Sequence, residues 1–431
     1  MIHEDYGKLA ARISINNYLK NTGFKPFAIS SEHKTIFDLK DILASHIFES
    51  FVEFSTEISE MMSEERNYRY TYRGFIMLQK GQYLLGGIES PDFATMRVSL
   101  GIIAGRERLQ RNQLPHLKEL YLLLSSKTFT FATPTLLNSG TKYAQFSSCV
   151  LLDVQDDLLN IGEQIKSSMM YQKHSAGIGI NLSKLRSRGS KIKGTNGIAS
   201  GLAPLCEVID KLGYYIDQGG GKRPGSISPY IADYHPDLLE VLALRNIKDI
   251  TQAASNHRLY YAVWVSNYFM ECTAKNEMWY FICPSAISNN KERDLSILIG
   301  EDFKKAYLSY VNDGAYVSSM PARDVWREII KIQAVAGVPY IVCKDTINLL
   351  RNQNAFIYSS NLCAEITLPT NENEIGVCNL ASISVRKFLT KKKKKLEGEF
   401  LPYNFTCGNI NENYYLDLAK LRRTVRSIVS Y

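Results

Sequence analysis

The spacing of apolar residues predicts a helical N-terminal region. Apolar side chains recur every three or four positions in the stretches 5–19, 94–107 and 116–124, as on one face of an α-helix. Few β-rich runs interrupt this pattern before residue 125. Residues 1–125 are therefore predicted to form an N-terminal helical domain.

From Thr128 onward, short β-rich runs alternate with amphipathic stretches. The predicted strands are 128–132, 149–152, 177–181, 260–265 and 338–343, and the predicted helices are 202–217, 266–275, 323–335 and a last one near 415–429. Strands that alternate with helices favour an α/β fold with parallel strands. The second predicted domain comprises residues 126–431.

The composition is that of a globular protein: 45% of the 431 residues are hydrophobic and 22% are charged. The sequence has no run of 18 apolar residues, so no membrane-spanning helix is predicted, and the polar N-terminus has no signal-peptide pattern. The eight cysteines form no C-x-x-C pair, so no metal site is predicted. Reduced thiols and a cytoplasmic location are expected.

The formal net charge of +8 comes in part from one run of lysines, Lys391–Lys395. This run is typical of a solvated insertion loop. A nucleic-acid-binding protein would need a basic face with interleaved aromatic residues, and no such patch is identified. A modest excess of positive charge also suits sites for anionic phosphate ligands.

The most informative stretch places an amide, a thiol and a carboxylate at alternate positions: Asn361, Cys363 and Glu365. In an extended strand these side chains would share one face, about 6–7 Å apart. A thiol between a hydrogen-bonding amide and an acid/base carboxylate is a catalytic arrangement. The alternative is a buried structural cysteine beside a solvated glutamate.

Two further cysteines, Cys149 and Cys378, have two interpretations. Each could be core filler. A pair of thiols that closes and opens a disulfide beside a third thiol would instead be a two-electron reductant. Their sequence positions do not show whether they meet.

Glycine-rich segments are candidates for phosphate contacts. Asp217–Gly225 contains three consecutive glycines followed by Lys222 and Arg223, which allows close backbone approach and contact with phosphate or a base edge. It is not a Walker A loop, because Arg follows Gly-Lys, and a mobile surface loop is the alternative. Residues 193–197 are a turn that would suit an anion. The stretch 176–180 lacks the third glycine of a dinucleotide fingerprint.

Together these segments closely resemble the large, catalytic subunit of class I ribonucleotide reductases of the eukaryotic or viral type. Seven motifs occur in the family's order and cover nearly all of residues 5–430: Thr133–Gly140, Ser147–Leu152, Ser175–Gly179, Gly194–Gly197, Asp217–Gly225, Ser360–Ile366 and Val377–Ser382.

The resemblance implies catalytic roles. Cys363 would be the thiyl radical that removes the ribose 3′ hydrogen, and Glu365 would take the 3′-hydroxyl proton as general base. Asn361 would bind and orient the substrate hydroxyl. Cys149 and Cys378 would supply two electrons and become a disulfide.

The resemblance also implies binding residues. The substrate would contact Thr133 and Ser148, with Asn361 and Glu365. The effector-binding positions would be Asp157, Leu158, Leu159, His174, Arg186, Lys193 and Gly194, although the family commonly has lysine where His174 lies. The specificity loop would comprise Gln218, Gly219, Gly220, Gly221, Lys222 and Arg223.

The implied fold is a helical domain followed by the first half of a ten-stranded α/β barrel, with the cysteine finger loop at its centre. No directly bound cofactor is expected. The expected partners are a ribonucleoside diphosphate, a dNTP or ATP effector, a metal-containing small subunit that supplies the radical, thioredoxin or glutaredoxin as reductant, and a second copy of the chain; no nucleic acid and no membrane are expected.

The resemblance further implies that the N-terminal ATP-cone and the second half of the barrel are not in this sequence. Activity would then need a separately encoded C-terminal half. The alternative is a truncated, inactive paralogue that still binds nucleotides or partners.

Overall fold

The structure is a computed structural model. It describes residues 4–29, 31–192, 194–217, 225–245, 259–287, 293–391 and 414–430. The chain divides into two compact units, the first formed by residues 1–146 and 379–431 and the second by residues 147–378.

The α-helices within the described ranges are α1 (Glu4–Thr22), α2 (Ser45–Glu53), α3 (Ser55–Met61), α4 (Tyr72–Lys80), α5 (Pro91–Ala104), α6 (Leu114–Ser125), α7 (Thr133–Asn138), α8 (Leu158–Lys173), α9 (Leu202–Asp217), α10 (Leu238–Ala243), α11 (Asn267–Lys275), α12 (Pro284–Ile287), α13 (Gly300–Asn312), α14 (Ala322–Ala336), α15 (Lys344–Leu350) and α16 (Leu418–Ser430). Short 3-10 turns cover Ile36–Leu39, Glu64–Tyr68, Leu85–Gly87, Arg111–Gln113 and Val385–Phe388.

The strands within the same ranges are β1 (Phe129–Phe131), β2 (Cys149–Asp153), β3 (Gly177–Asn181), β4 (Ser226–Ala232), β5 (Ala262–Val265), β6 (Met278–Phe281), β7 (Ser318–Pro321), β8 (Tyr340–Cys343), β9 (Gly376–Cys378), β10 (Ala381–Ile383), β11 (Leu389–Lys391) and β12 (Tyr414–Leu416).

Helix α5 is the central element of the first unit, and its local sequence sets where it begins. The Ser90 hydroxyl accepts a hydrogen bond from the Phe93 amide (3.1 Å), and Pro91 occupies the first turn, as N-terminal helix signals require. Phe93 is buried and stacks on Phe51 of α2 at 5.0 Å. The helical prediction for this region is confirmed.

The predicted strand at 128–132 is present as β1, but it does not join the parallel sheet. It pairs antiparallel with β10, and Phe129 lies opposite Ile383. This ladder belongs to the first unit.

A six-stranded sheet in the order β8-β5-β4-β3-β2-β9 forms the second unit. Strands β2, β3, β4, β5 and β8 are mutually parallel, and only the edge strand β9 is antiparallel. Every residue of β2 and β3 is buried, as expected for strands covered on both faces. The parallel-sheet prediction is confirmed, and the strand order places β2 and β9 side by side.

None of the helices in the described ranges is long and apolar enough to cross a lipid bilayer.

Candidate active site

The pairing of β2 with β9 brings two cysteines together. Cys149 lies directly opposite Cys378 in the antiparallel register. Opposed residues in such a ladder have Cα atoms about 4.5–5.5 Å apart, within the range of about 4.4–6.8 Å that a disulfide spans. Both residues are thiols in this structure. The backbone can therefore accommodate a Cys149–Cys378 disulfide without rearrangement.

The two thiols differ in acidity. A hydrogen bond from the Cys149 thiol lowers the pKa of Cys378, and a hydrogen bond from Ser148 lowers it further. The same Cys149–Cys378 hydrogen bond, followed by burial, raises the pKa of Cys149. Cys378 is therefore the member of the pair that loses its proton first, and the thiolate is the reactive form of cysteine.

Asn361 connects this pair to a carboxylate. Its side-chain amide nitrogen donates to Glu365 Oε1 at 2.7 Å and to Cys149 Sγ at 3.1 Å. Cys149 Sγ lies 3.7 Å from the same Glu365 oxygen. Asn361 is fully buried, whereas Glu365 is exposed. An amide, a carboxylate and two thiols thus form one hydrogen-bonded cluster in the second unit.

The segment that carries Asn361, Cys363 and Glu365 is a turn, so the prediction of an extended strand is wrong. The Ala364 amide donates to the Asn361 carbonyl at 3.2 Å, and Ala364 has a positive φ of 61°. The turn brings the Asn361 and Glu365 side chains into direct contact, closer than alternation along a strand would allow. Exposed Cys363 lies within this turn.

Cys363 lies close enough to the Tyr340 hydroxyl to influence its acidity. Burial raises the pKa of Tyr340, and the Cys363 thiol is the largest charged contribution in the same direction. Tyr340 is the first residue of β8, so Cys363 lies near the amino-terminal end of that strand.

Two glycines in β3 allow the loop to lie against the sheet. A Cβ atom at Gly179 would be only 1.9 Å from the Ser360 carbonyl oxygen, and one at Gly177 would be 2.7 Å from the Leu362 side chain. Glycine inside a strand is a signal of such close backbone approach. The Gly-x-Gly spacing at 177–179 is therefore a packing signal and not part of a dinucleotide fingerprint.

The sequence pattern did not identify Tyr230 as part of the candidate site. Its buried hydroxyl donates to the Asn361 carbonyl at 2.7 Å. Burial raises the pKa of Tyr230, so the hydroxyl stays a donor. Tyrosine in a buried strand is common, and its partner is 131 positions away; no local sequence pattern identifies it.

Two of the four predicted substrate contacts, Ser148 and Thr133, lie in different units. Ser148 is buried beside the thiol pair, with its Oγ 3.6 Å from Cys149 Sγ and 3.9 Å from Cys378 Sγ. Thr133 begins α7 in the first unit, where its hydroxyl is hydrogen-bonded to the Tyr83 hydroxyl at 2.9 Å.

Most of the predicted effector residues lie at the two ends of α8. Asp157 caps its N-terminus by accepting a hydrogen bond from the Asn160 amide at 3.0 Å. Leu158 and Leu159 follow and are about four-fifths exposed, at 81% and 80%. His174 is the residue at which the helix ends.

Arg186 has a protein partner that the sequence did not indicate. Its Nε lies 3.0 and 2.9 Å from the two carboxylate oxygens of Asp156, which raises the pKa of Arg186. Gly194 is exposed with a positive φ of 89°. Lys193 and the predicted specificity loop, residues 218–223, lie outside the described residues.

Family models of ribonucleotide reductase match the chain in two regions. The model described as the all-alpha domain matches residues 68–144, and the model described as the barrel domain matches residues 147–431. The second match covers more than half of the chain and contains all four members of the hydrogen-bonded cluster.

The relatives are ribonucleoside-diphosphate reductase large subunits or chains. One from Plasmodium falciparum is 37% identical over 403 residues, which cover 91% of this chain and 48% of the relative. One from Arabidopsis thaliana is 33% identical, covering 99% and 52%, and one from Schizosaccharomyces pombe is 33% identical, covering 96% and 51%. The chain spans about half the length of the curated relatives it matches.

Proposed function

The chain belongs to the ribonucleotide reductase family, and from this premise we propose that it carries the thiol chemistry of a ribonucleoside-diphosphate reductase large subunit. In this proposal Cys363 is the residue that reacts with the ribose, and Cys149 and Cys378 are the reducing pair. The fold agrees with the premise: a helical region is followed by a barrel domain of which the parallel sheet is one part.

The observation that supports this function best is that Cys149 and Cys378 lie directly opposite each other on β2 and β9. The Asn361 side-chain amide donates hydrogen bonds to both Cys149 and Glu365 beside this pair. A structural cysteine needs no thiol partner and no buried amide directed at its sulfur. A dithiol that must deliver two electrons and one leaving-group proton requires both.

The proposed reaction converts a ribonucleoside diphosphate and the Cys149–Cys378 dithiol into a deoxyribonucleoside diphosphate, a disulfide and water. The separate radical-generating subunit supplies an oxidising equivalent that leaves Cys363 as a thiyl. Cys363 takes the 3′ hydrogen atom and Glu365 takes the 3′-hydroxyl proton. The 2′ C–O bond breaks, and the hydroxyl leaves as water with a proton from the dithiol. As its S–S bond forms, the dithiol gives its second hydrogen atom to C2′ and its remaining electron to the 3′ carbon–oxygen group. Glu365 then returns its proton to the 3′ oxygen, and Cys363 returns the 3′ hydrogen.

The charged and polar groups fit these steps. Asn361 holds one Glu365 oxygen at 2.7 Å, so the carboxylate has a defined position for proton transfer. Its own side-chain oxygen accepts from the Glu365 and Ile366 amides at 3.0 and 3.1 Å, which fixes the orientation of the side-chain amide. Preorganised donors of this kind contribute most where charge develops during reaction.

We further propose that nucleoside triphosphate effectors bind at α8 and that a second copy of the chain packs there. Leu158, Leu159 and Met170 of α8 and Tyr215 of α9 are exposed by 53–81%, an unusual set of apolar residues for a solvated surface. The Arg186–Asp156 pair would have to open or reorient for Arg186 to contact phosphates.

Thioredoxin or glutaredoxin would reduce the disulfide, and Thr133 and Ser148 keep their proposed substrate contacts. The cytoplasm stays the predicted compartment.

The test is reduction of CDP by the chain together with a C-terminal half from a relative and a radical-generating small subunit. We expect turnover in the complete assembly, loss of turnover to background in Cys363→Ser, and full turnover in Cys343→Ser. Cys343 is the matched control because it is also exposed but lies outside the cluster.

Turnover in Cys363→Ser equal to that of the unchanged chain would refute the assignment of the radical residue. If the complete assembly gave no product although CDP and effector bound, the non-catalytic paralogue would be the better description. Peptide mass spectrometry would detect whether the Cys149–Cys378 disulfide forms after a single turnover. Its formation without further turnover would show that the reductant failed and that the site itself reacts.

A further inference from the structure

A groove of about 950 Å³ lies in the first unit between α1 and the segment that leads into α4. Four cationic side chains and one carboxylate line it. The carboxylate, Asp5, is paired with Lys8 at 3.1 Å. Arg12, Arg69 and Arg73 make no side-chain hydrogen bond or ion pair with any residue in the described ranges. The groove therefore has an excess of positive charge that these protein groups do not neutralise.

Aromatic rings alternate with these arginines. Tyr68, Tyr70 and Tyr72 line the same groove as Arg69 and Arg73, an interleaved basic and aromatic segment that the sequence reading overlooked. The Tyr72 side chain is 45% exposed. Tyr70 is held from one side by Lys127, whose Nζ lies 3.5 Å from the ring centroid.

We propose that this groove binds a nucleoside polyphosphate, with the three guanidinium groups on the phosphates and a tyrosine ring against the base. Guanidinium groups match phosphate oxygens with two parallel hydrogen bonds, and tyrosine rings stack on bases without selecting a sequence. Helix α4 begins at Tyr72, so the positive end of its dipole adds to the attraction for phosphate.

The size of the groove favours a small ligand. Sites for small molecules and cofactors occupy about 300–1,000 Å³, and this groove is at the upper end of that range. An acidic peptide would use the arginines but would not need the exposed Tyr72 ring beside them. The groove residues belong to the first unit and the proposed effector residues to the second, and the proposal does not depend on the reductase activity.

The first experiment is photo-crosslinking of the full chain with 8-azido-ATP, followed by peptide mapping. We expect label in peptides that contain residues 5–12 or 68–73, in addition to any label near α8. Label confined to peptides of residues 147–378 would overturn the proposal.

The second experiment measures ATP binding by calorimetry at low salt. Arg69→Ala/Arg73→Ala should weaken one class of ATP site by at least about tenfold, whereas Arg106→Ala, a matched change at an exposed arginine outside the groove, should leave it unchanged. Tyr72→Ala should weaken the binding of ATP without weakening the binding of tripolyphosphate. Equal thermal unfolding midpoints would confirm that the variants fold.

Three results would refute the proposal. Unchanged ATP binding in Arg69→Ala/Arg73→Ala would show that these arginines do not contact the phosphates. Tripolyphosphate that binds as tightly as ATP would show that the tyrosines recognise no base. A single-stranded oligonucleotide that displaces ATP at a much lower concentration would identify the groove as a nucleic-acid surface instead.

Discussion

Replacing Gly179 by alanine should dislodge the loop that carries Asn361 and Cys363. The added Cβ would lie 1.9 Å from the Ser360 carbonyl oxygen and 2.8 Å from the Asn361 Cα. Since both opposing atoms belong to the backbone, no side-chain rotation relieves the contact. The loop or the strand must move by more than about 1 Å, which a close-packed interior resists.

The expected magnitude follows from what that movement breaks. Overpacking of a core costs about 1–3 kcal/mol, and each buried hydrogen bond lost adds about 1 kcal/mol. The hydrogen bonds at risk are those that Asn361 makes with Tyr230, Cys149 and Glu365. A destabilisation of about 3 kcal/mol would lower the urea midpoint by about 1 M, at a slope of about 2–3 kcal/mol per M.

Tryptophan fluorescence is the appropriate measurement, because Trp264, Trp279 and Trp326 are all in the second unit and are the only tryptophans of the chain. Gly162→Ala is the matched control. Gly162 is an exposed helical glycine whose added Cβ would meet no atom within 4 Å, and the change should be neutral or stabilising by up to about 1 kcal/mol.

Gly177→Ala should have a smaller effect than Gly179→Ala, because its closest contact is the flexible end of the Leu362 side chain at 2.7 Å. An unchanged urea midpoint and unchanged CDP reduction in Gly179→Ala would refute the inference that the loop packs directly on β3.

Three other predictions concern single groups. Tyr230→Phe removes the hydroxyl that donates to the Asn361 carbonyl at 2.7 Å and should cost about 1–3 kcal/mol; a urea midpoint equal to that of the unchanged chain would contradict this. Iodoacetamide near neutral pH should alkylate Cys378 before Cys149, because the pKa of Cys378 is lowered and that of Cys149 is raised; peptide mass spectrometry after short exposures would show the order. Burial, the largest cause, lowers the pKa of Lys127 to about 7. Since the unfolded state then binds more protons between about pH 7 and pH 10.5, stability should rise with pH across that window, and Lys127→Met should abolish the rise.

Several features could be predicted from the sequence because they depend on local patterns. Helical periodicity identified α1, α5 and α6, and continuous apolar runs identified β2 and β3. The candidate catalytic residues were also recognisable, because the motifs around Cys363 and Cys378 are contiguous stretches of chain. The periodicity of each element and the residues of each motif both lie within about twenty consecutive residues of the chain.

The turn at Ala364 was not predictable in the same way. Alternating polar and apolar residues at 361–365 satisfy the pattern of a strand, but a strand also needs a neighbour with free hydrogen-bonding groups. The Ser360 and Asn361 backbone packs against the face of β3 at Gly179 and does not pair with the edge of a strand there. Tertiary packing therefore replaced the local preference with a turn.

The sequence by itself determined most of the helices and strands, the parallel character of the sheet, and which thiols, amide and carboxylate are the candidate site residues. Only the tertiary structure decided that Cys149 faces Cys378, that the Asn361 side-chain amide reaches Cys149, and that the Tyr230 hydroxyl binds the Asn361 carbonyl. The physical reason is distance along the chain: these contacts join residues more than 100 positions apart. Their geometry depends on the register of a whole sheet, which no local pattern specifies.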